Sequence, residues 1–274
     1  MSSAPWTGGP WGPAARCILA PNPGPMTLDG TNTWLLAAPG ADVGVVVDPG
    51  PLDEGHLAAV LTVAREAGVR IATILLTHGH PDHAEGARRF AELTGAPVRA
   101  LDPGQCLGDS GLVDGDVVTA GDLELTVVAT PGHTSDSLSF LLTADQVTGS
   151  ALLTGDTVLG RGTTLIAHPD GRLGDYLASL QRLASLAAQG RVAAVLPGHG
   201  PVLDDPHAAI EGYLAHRRDR LEQVAAALAA GAGTAREVVQ VVYADVDPVL
   251  WPAAELNVRA QLDYIAGRGD SGRT

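Results

Sequence analysis

The sequence contains no lysine, so all 17 basic residues among its 274 positions are arginine. An anion that this protein recognises must therefore be held by arginine, by backbone N–H groups or by a metal ion. The 31 acidic residues bring the formal net charge to −14. This charge disfavours a large nucleic-acid footprint, which normally needs a basic patch, although it is compatible with a narrow local one.

Cysteine and long apolar runs are also scarce. Cys17 and Cys106 are the two cysteines, and neither lies in a CxxC pattern, which indicates reduced thiols. Without a run of 18 apolar residues we expect no transmembrane helix and no membrane partner. The Pro- and Gly-rich residues 1–13 do not resemble a secretory signal, so the expected location is the cytoplasm. A hydrophobic content of 45% predicts a sizeable core.

Histidine, in contrast, is concentrated in one short segment. Three of the nine histidines and an aspartate fall within His78-Gly79-His80-Pro81-Asp82-His83, directly after the apolar residues 71–77. Three more glycine-flanked candidates follow in the motifs PGHT, TGDT and PGHG. Imidazole and carboxylate groups are the usual ligands of zinc and related metals. The metal-ligand candidates are His78, His80, Asp82, His83, His133, Asp156 and His199, a set large enough for two ions.

Each ligand candidate lies just past the end of an apolar strand, as expected when one edge of a sheet presents several loops. The predicted strands are 16–20, 32–37, 43–48, 71–77, 123–129, 138–142, 151–153 and 192–196, and the predicted helices before residue 206 are 53–67, 83–94 and 173–188. After that point the pattern is helical only, over 206–230, 235–244 and 249–266. The sequence therefore predicts a mixed α/β domain over 1–205 and a helical region over 206–274.

The spacing of the candidates suggests how they share two ions. His78 and His80 alternate on an extended segment and can point the same way, with His133 completing that site. Asp82 and His83 turn toward a second point, which His199 would complete, and Asp156 would bridge. Two ions in such a site share a hydroxide, which Asp82 helps to orient, and lower its pKa to about 7. Asp48 is the expected acceptor that orients a ligand histidine from behind.

The motifs HGHPDH, PGHT, TGDT and PGHG resemble the metallo-β-lactamase superfamily over about residues 16–203. The resemblance implies an α/β fold, the αββα sandwich with a dinuclear site, and the same division of the seven ligands between two ions. The true zinc β-lactamases lack a bridging aspartate, and the best-known group has a cysteine in its second site. Antibiotic hydrolysis is therefore not expected, and the chain is more similar to the glyoxalase II and ribonuclease branch.

Four further segments resemble the β-lactamase-like protein 2 family. They are residues 22–34 (NPGPMTLDGTNTW), 159–164 (LGRGTT), 197–201 (PGHGP) and 213–217 (YLAHR). This resemblance implies that a long helix and a small winged-helix-like domain follow residue 206, here with a short final wing because 267–274 is polar. Members of the family are linked to cleavage of single-stranded RNA and to hydrolysis of acyl-carrier-protein thioesters.

Several residues outside the ligand set have two open interpretations. Thr31 and Asn32 are either substrate contacts or part of a Pro/Gly loop that opens an edge strand. His216 and Arg217 either bind a substrate carboxylate or phosphate or pack the helix against the sheet. Thr164 and Arg161 are weaker substrate-contact candidates of the same kind. His56, His168 and His207 are expected at the surface or in loops.

Three functional hypotheses follow. The first is a dinuclear zinc hydrolase that uses a metal-bridging hydroxide on an ester or thioester, carried by a small molecule or an acyl carrier. The second is an endoribonuclease acting on single-stranded RNA, and the third is a non-catalytic interaction protein stabilised by metal. A continuous groove of Arg161, Arg172, Arg217 and Arg218 would favour RNA, whereas a closed apolar pocket would favour an acyl chain. Mn²⁺ or Fe²⁺ would also suit the ligands, and a homodimer is compatible with the sequence.

Overall fold

Two β-sheets face each other across a shared apolar core in the computed structural model, which describes residues 4–143, 150–190 and 192–271. The first sheet has the order β1-β2-β3-β4-β5-β6, and the second has the order β11-β10-β9-β8-β7. Their strands are β1 Gly9–Trp11, β2 Ala15–Leu19, β3 Asn32–Leu36, β4 Val43–Val47, β5 Arg70–Leu75, β6 Val98–Arg99, β7 Val117–Ala120, β8 Leu123–Ala129, β9 Leu138–Thr143, β10 Ser150–Gly155 and β11 Val192–Pro197. The short strands β1, β6 and β7 are additions to the predicted set.

Helices cover the outer face of each sheet. The helices are α1 Glu54–Glu66, α2 Pro81–Ala84, α3 Ala87–Thr94, α4 Leu173–Ala188, α5 Pro206–Ala229, α6 Ala235–Val242 and α7 Trp251–Ser271. One core lies between the sheets, a second lies under α1 and α3, and a third lies under α4 and the first half of α5. The central strand β3 is buried along its whole length, including its two polar residues, Asn32 and Thr33. The predicted αββα arrangement is confirmed.

The predicted helix 83–94 is in fact two helices separated at Gly86. The Gly86 N–H donates to the carbonyl of Gly50 instead of continuing the helical ladder. A β-carbon at position 86 would lie 2.9 Å from the carbonyl oxygen of Pro51, so the close approach of these two segments requires glycine. Because the helix is interrupted at Gly86, α2 is a single turn, and it carries Asp82 and His83.

The C-terminal region has its own small core. Val224 on α5, Val238 on α6 and Val258 on α7 are fully buried against one another. A capping box between Thr234 and Glu237 begins α6. Between residues 206 and 271 the structure has helices and no strand, in line with the expectation that the wing is short. Because α5 contributes to this core and to the core under the second sheet, the boundary at 206 stays a prediction.

Among the described residues, none of the helices combines the length and the apolar character that crossing a bilayer demands.

Two Gly→Ala substitutions test the packing of the fold, and we expect them to change the free energy of unfolding in opposite directions. Gly44→Ala would place a β-carbon 2.5 Å from the carbonyl oxygen of Leu36, so we expect it to lower the free energy of unfolding by about 1–3 kcal/mol. Gly212→Ala lies within α5 with no atom within 4 Å of the added carbon, so we expect a gain of about 0.5–1 kcal/mol. Urea unfolding measures both. A neutral Gly44→Ala variant would contradict the pairing of β4 with β3.

Candidate metal centre

The seven ligand candidates meet at one edge of the two sheets. The segment that follows β5 carries four of them, and the segments that follow β8, β10 and β11 carry one each. Backbone hydrogen bonds join these segments, from Leu138 N–H to the Thr77 carbonyl and from Gly198 N–H to the Gly155 carbonyl. The sheets thus bring side chains from four distant parts of the sequence to one place.

His78, His80 and His133 form the first group. His80 Nδ1 lies 3.1 Å from His78 Nε2 and 3.0 Å from His133 Nε2. Zinc–nitrogen bonds are about 2.0–2.1 Å long, so nitrogens at this separation can share one ion. The potential ligand atoms of all three residues lie within 4.8 Å of one another.

Asp82, His83 and His199 form the second group. The Nε2 atoms of the two histidines are 3.2 Å apart. Asp82 Oδ2 lies 3.5 Å from His83 Nε2 and 3.2 Å from His199 Nε2. Both histidines are fully buried, whereas the Asp82 side chain is 29% exposed, so the carboxylate is on the solvent side of this group.

Asp156 lies between the two groups. Its Oδ1 is 3.3 Å from His83 Nε2 and 3.4 Å from His199 Nε2, while its Oδ2 is 3.7 Å from His133 Nε2. The buried Oδ1 has no hydrogen-bond partner in the described protein. A carboxylate oxygen that is buried, without a donor and surrounded by imidazole nitrogens fits a bound cation. The residues present therefore suit a metal.

Three of the histidines share one arrangement, in which ring Nδ1–H donates to a fixed oxygen while Nε2 faces the centre. The pairs are His83 with Asp48 Oδ2 at 2.9 Å, His133 with the Leu165 carbonyl at 2.6 Å and His199 with the Gly30 carbonyl at 3.1 Å. Such contacts fix the orientation and tautomer of a metal-binding imidazole.

Asp48, which orients His83, is itself fixed by hydrogen bonds to its carboxylate and to its carbonyl. Its carboxylate accepts from the Thr77 N–H at 2.8 Å and from the Thr77 hydroxyl at 2.7 Å. Its carbonyl accepts from the Thr33 hydroxyl at 2.7 Å, and that hydroxyl lies 2.8 Å from His56 Nε2. His56 was expected at the surface, but it is 3% exposed and supports this turn. The strained backbone of Asp48, at φ +52°, explains why such support is needed.

The pKa values of the buried histidines shift in two opposite directions. Burial lowers the pKa of His78 well below its usual value, which favours the neutral form. Burial also opposes protonation of His83 and His199, but nearby carboxylates outweigh it, Asp156 foremost. They raise the pKa of His83 well above its usual value and that of His199 to about 9. Despite its burial, the Asp156 carboxyl has a pKa well below its usual range because His199 and His83 lie beside it.

Thr31 and Asn32 lie inside the protein, which favours the structural one of their two interpretations. Both side chains are 0% exposed. The Asn32 amide donates to the carbonyls of Pro197 and Gly200, the first and last residues of the PGHG motif that contains His199. Thr31 pairs with His199 in an isolated β-bridge. These residues hold the His199 loop in place.

Thr164 and Arg217 are also buried. The Thr164 hydroxyl lies 3.3 Å from His133 Nδ1, and the Thr164 carbonyl accepts from Arg217 Nη2 at 2.6 Å. The Arg217 guanidinium lies 5.0 Å from the ring centroid of Tyr176. Both residues, together with the half-buried His216, line a cavity of about 280 Å³ that opens on His133 and Asp156.

This cavity separates the metal centre from the C-terminal helices. Its apolar wall includes Met26 and Leu28 from the Pro/Gly loop and Val246 and Leu250 from the C-terminal region. The sequence analysis named Thr31 and Asn32 from that loop and did not identify Met26 and Leu28, which line the cavity. The available signal was the presence of two large apolar side chains in an otherwise turn-forming segment.

The four arginines proposed as a rim do not line one groove. Arg161 and Arg217 line the cavity beside the metal centre, Arg172 lines a second cavity with His168, and Arg218 lines a third beside Leu221. Arg161 is also ion-paired with Asp29. The arrangement needed for the RNA interpretation is therefore not formed by these residues.

Comparisons with known proteins agree with this geometry. The model of the metallo-beta-lactamase superfamily matches residues 26–199. The model of the beta-lactamase associated winged helix domain matches residues 234–269, which contain α6 and most of α7.

Individual relatives cover most of the chain. A beta-lactamase-like protein 2 homolog of Caenorhabditis elegans is 33% identical over 93% of this chain and 85% of its own length. An atrochrysone carboxyl ACP thioesterase of Aspergillus fumigatus is 34% identical over 82% of this chain and 72% of its own. A metallo-beta-lactamase family protein of Thermus thermophilus has a similar solved structure, with a TM-score of 0.77, 25% identity and 94% coverage of both chains.

Asp48→Asn tests the support of His83. The substitution replaces an acceptor of His83 Nδ1–H with an amide, so we expect zinc affinity to fall about 10–100-fold in a competition titration with a chelator. Asp42→Asn removes the same charge at an exposed position away from the centre and is expected to bind zinc like the wild type. Equal affinity in the Asp48 variant would show that this contact does not matter for the metal.

Metal binding is expected to release protons. The carboxylates that raise the pKa of His83 and of His199 favour an additional proton on this pair of rings near neutral pH, and a metal ion must displace it. Zinc affinity therefore weakens as the pH falls below about 9. Calorimetric zinc titrations in buffers of different ionisation enthalpy count the released protons, and a count of zero would contradict the assignment.

Proposed function

The chain belongs to the metallo-beta-lactamase superfamily, and from this premise we propose that it is a dinuclear zinc hydrolase of acyl thioesters and related esters. The observation that carries the proposal is the partly apolar cavity that opens on His133 and Asp156. An acyl chain needs such a space directly beside the reacting centre. The thioesterase of Aspergillus fumigatus among the relatives supports this substrate class.

The ligand set suits two ions in the following way. His78, His80 and His133 would hold one ion, Asp82, His83 and His199 the other, and Asp156 would contact both. When bound, two zinc ions supply an activated water at neutral pH and a Lewis acid for the carbonyl. The partly exposed Asp82 would orient that water from the solvent side, because its carboxylate is the most exposed of the three side chains in its group.

The reaction consumes one water. The acyl–sulfur bond breaks, the acyl carbon gains the hydroxyl group and the sulfur gains the remaining proton, so a carboxylic acid and a thiol leave. In the protein, Met26 and Leu28 would contact the acyl chain, while His133 and Asp156 lie at the end of the cavity where the carbonyl would be. The thiol, on a small molecule or a carrier protein, would extend toward solvent.

The two other hypotheses have less support. An RNA substrate needs a continuous basic groove, and the four arginines named for it line three separate cavities. A non-catalytic role needs no cavity beside the metal, and a structural zinc site is normally closed and mononuclear. Both alternatives nevertheless predict distinct results in a hydrolysis assay.

The test is hydrolysis of acyl N-acetylcysteamine thioesters by the zinc-loaded protein, followed by thiol release. We expect His199→Ala to reduce kcat/KM by at least about 100-fold, because it removes a ligand from the reacting centre. His207→Ala changes an exposed histidine on α5 and is expected to retain full activity.

Two results would contradict the proposal. Cleavage of end-labelled single-stranded RNA without thioester hydrolysis would make the protein a ribonuclease. A zinc-loaded protein that turns over neither substrate would support the non-catalytic interpretation.

A further inference from the structure

Two arginines of α5 line the cavity beside the metal centre without a carboxylate partner. Arg217 is 2% exposed, and it contacts the Thr164 carbonyl and the ring of Tyr176. Arg220, one turn later, contacts the Val242 carbonyl and the ring of Tyr243. Within the described part of the chain, no carboxylate oxygen lies within 4.0 Å of either guanidinium.

Burial sets Arg217 apart from the other described arginines, because it is the one whose side chain is buried. Five of them pair with an aspartate or glutamate, namely Arg89, Arg99, Arg161, Arg182 and Arg236. With 31 acidic residues available, the chain has no shortage of partners. A buried cation without a counter-charge is costly, so a cation that faces a cavity in this state is suited to an anionic ligand.

Polar atoms on the same face of α5 also have no partner. His216 Nδ1 and Arg217 Nε are buried and make no hydrogen bond within the described protein. Both residues line the cavity, as does Arg220. Positions 216 and 220 are four residues apart and positions 217 and 220 are three apart, so a helix presents all three toward one side. The three side chains therefore border one volume.

We propose that His216, Arg217 and Arg220 form an anion subsite that binds a carboxylate or phosphate group of the substrate. This inference rests on the proposed thioester hydrolysis and narrows its substrate class. The substrate would place its thioester at His133 and Asp156, its apolar part against Met26 and Leu28, and its anionic group against α5. Guanidinium groups bind both kinds of anion through charge-assisted hydrogen bonds.

Two parts of a thioester substrate can supply the anion. A carboxylate can end the acyl chain, or a phosphate can belong to the carrier arm. Two matched substrate pairs separate these sources. Glutaryl and valeryl thioesters of N-acetylcysteamine differ only in the terminal carboxylate, and valeryl thioesters of phosphopantetheine and pantetheine differ only in the phosphate.

We expect kcat/KM to be at least about tenfold higher for the charged member of one pair. Arg220→Met is expected to bring that ratio close to one, because it removes a donor of the subsite, and urea unfolding checks that the variant stays folded without the contacts to Val242 and Tyr243. Arg218→Met changes an exposed neighbour on α5 and is expected to keep the wild-type ratio. The pair that shows the preference identifies the source of the anion.

A binding measurement without metal gives an independent readout. Isothermal titration of glutarate and of inorganic phosphate into the metal-free protein is expected to show binding of at least one, weakened about tenfold or more by Arg220→Met and unchanged by Arg218→Met. Thioester hydrolysis without any preference for charge, together with equal anion binding in both variants, would overturn the subsite but leave the proposed function intact. Failure to hydrolyse any thioester would contradict the proposed function, while the anion titration would still decide the subsite.

Discussion

The metal centre depends on hydrogen bonds made on the far side of its histidine rings. Nitrogens that approach within 3.0–3.2 Å of one another would otherwise turn away to find donors or water. Asp48 and the carbonyls of Gly30 and Leu165 hold three of these rings by Nδ1, and each ring consequently directs Nε2 inward. The fold thus holds these Nε2 atoms close together, in an orientation that suits a bound cation.

The C-terminal helices are part of this support. The loop that leads from Asp156 to the Leu165 carbonyl is tied to α5 by the Tyr213 hydroxyl, which accepts from Leu159 N–H. It is tied to α7 by Asn257, whose side chain accepts from Ile166 N–H. The C-terminal helices therefore form one wall of the cavity and also hold the loop behind His133. These contacts are a structural role at the site that needs no nucleic acid.

Much of the fold and the centre could be predicted because the relevant signals are local. Strand, turn and ligand follow one another within a few residues around His78, His133, Asp156 and His199, and the end of a strand is where a sheet presents its loops. The burial of His56, Thr31 and Asn32 could not be predicted in the same way. Their partners lie elsewhere in the sequence, as far as Pro197 from Asn32, so only the folded chain brings them together. The break of the helix at Gly86 likewise depends on a carbonyl 36 positions away, at Gly50.

The proposed dinuclear centre requires that Asp156 join the two ligand groups. The most direct test is the zinc content of the purified, zinc-loaded protein after loosely bound ions are removed, measured by mass spectrometry of the digested sample. We expect two zinc ions per chain. A content of one ion per chain, unchanged by further loading, would contradict the dinuclear assignment.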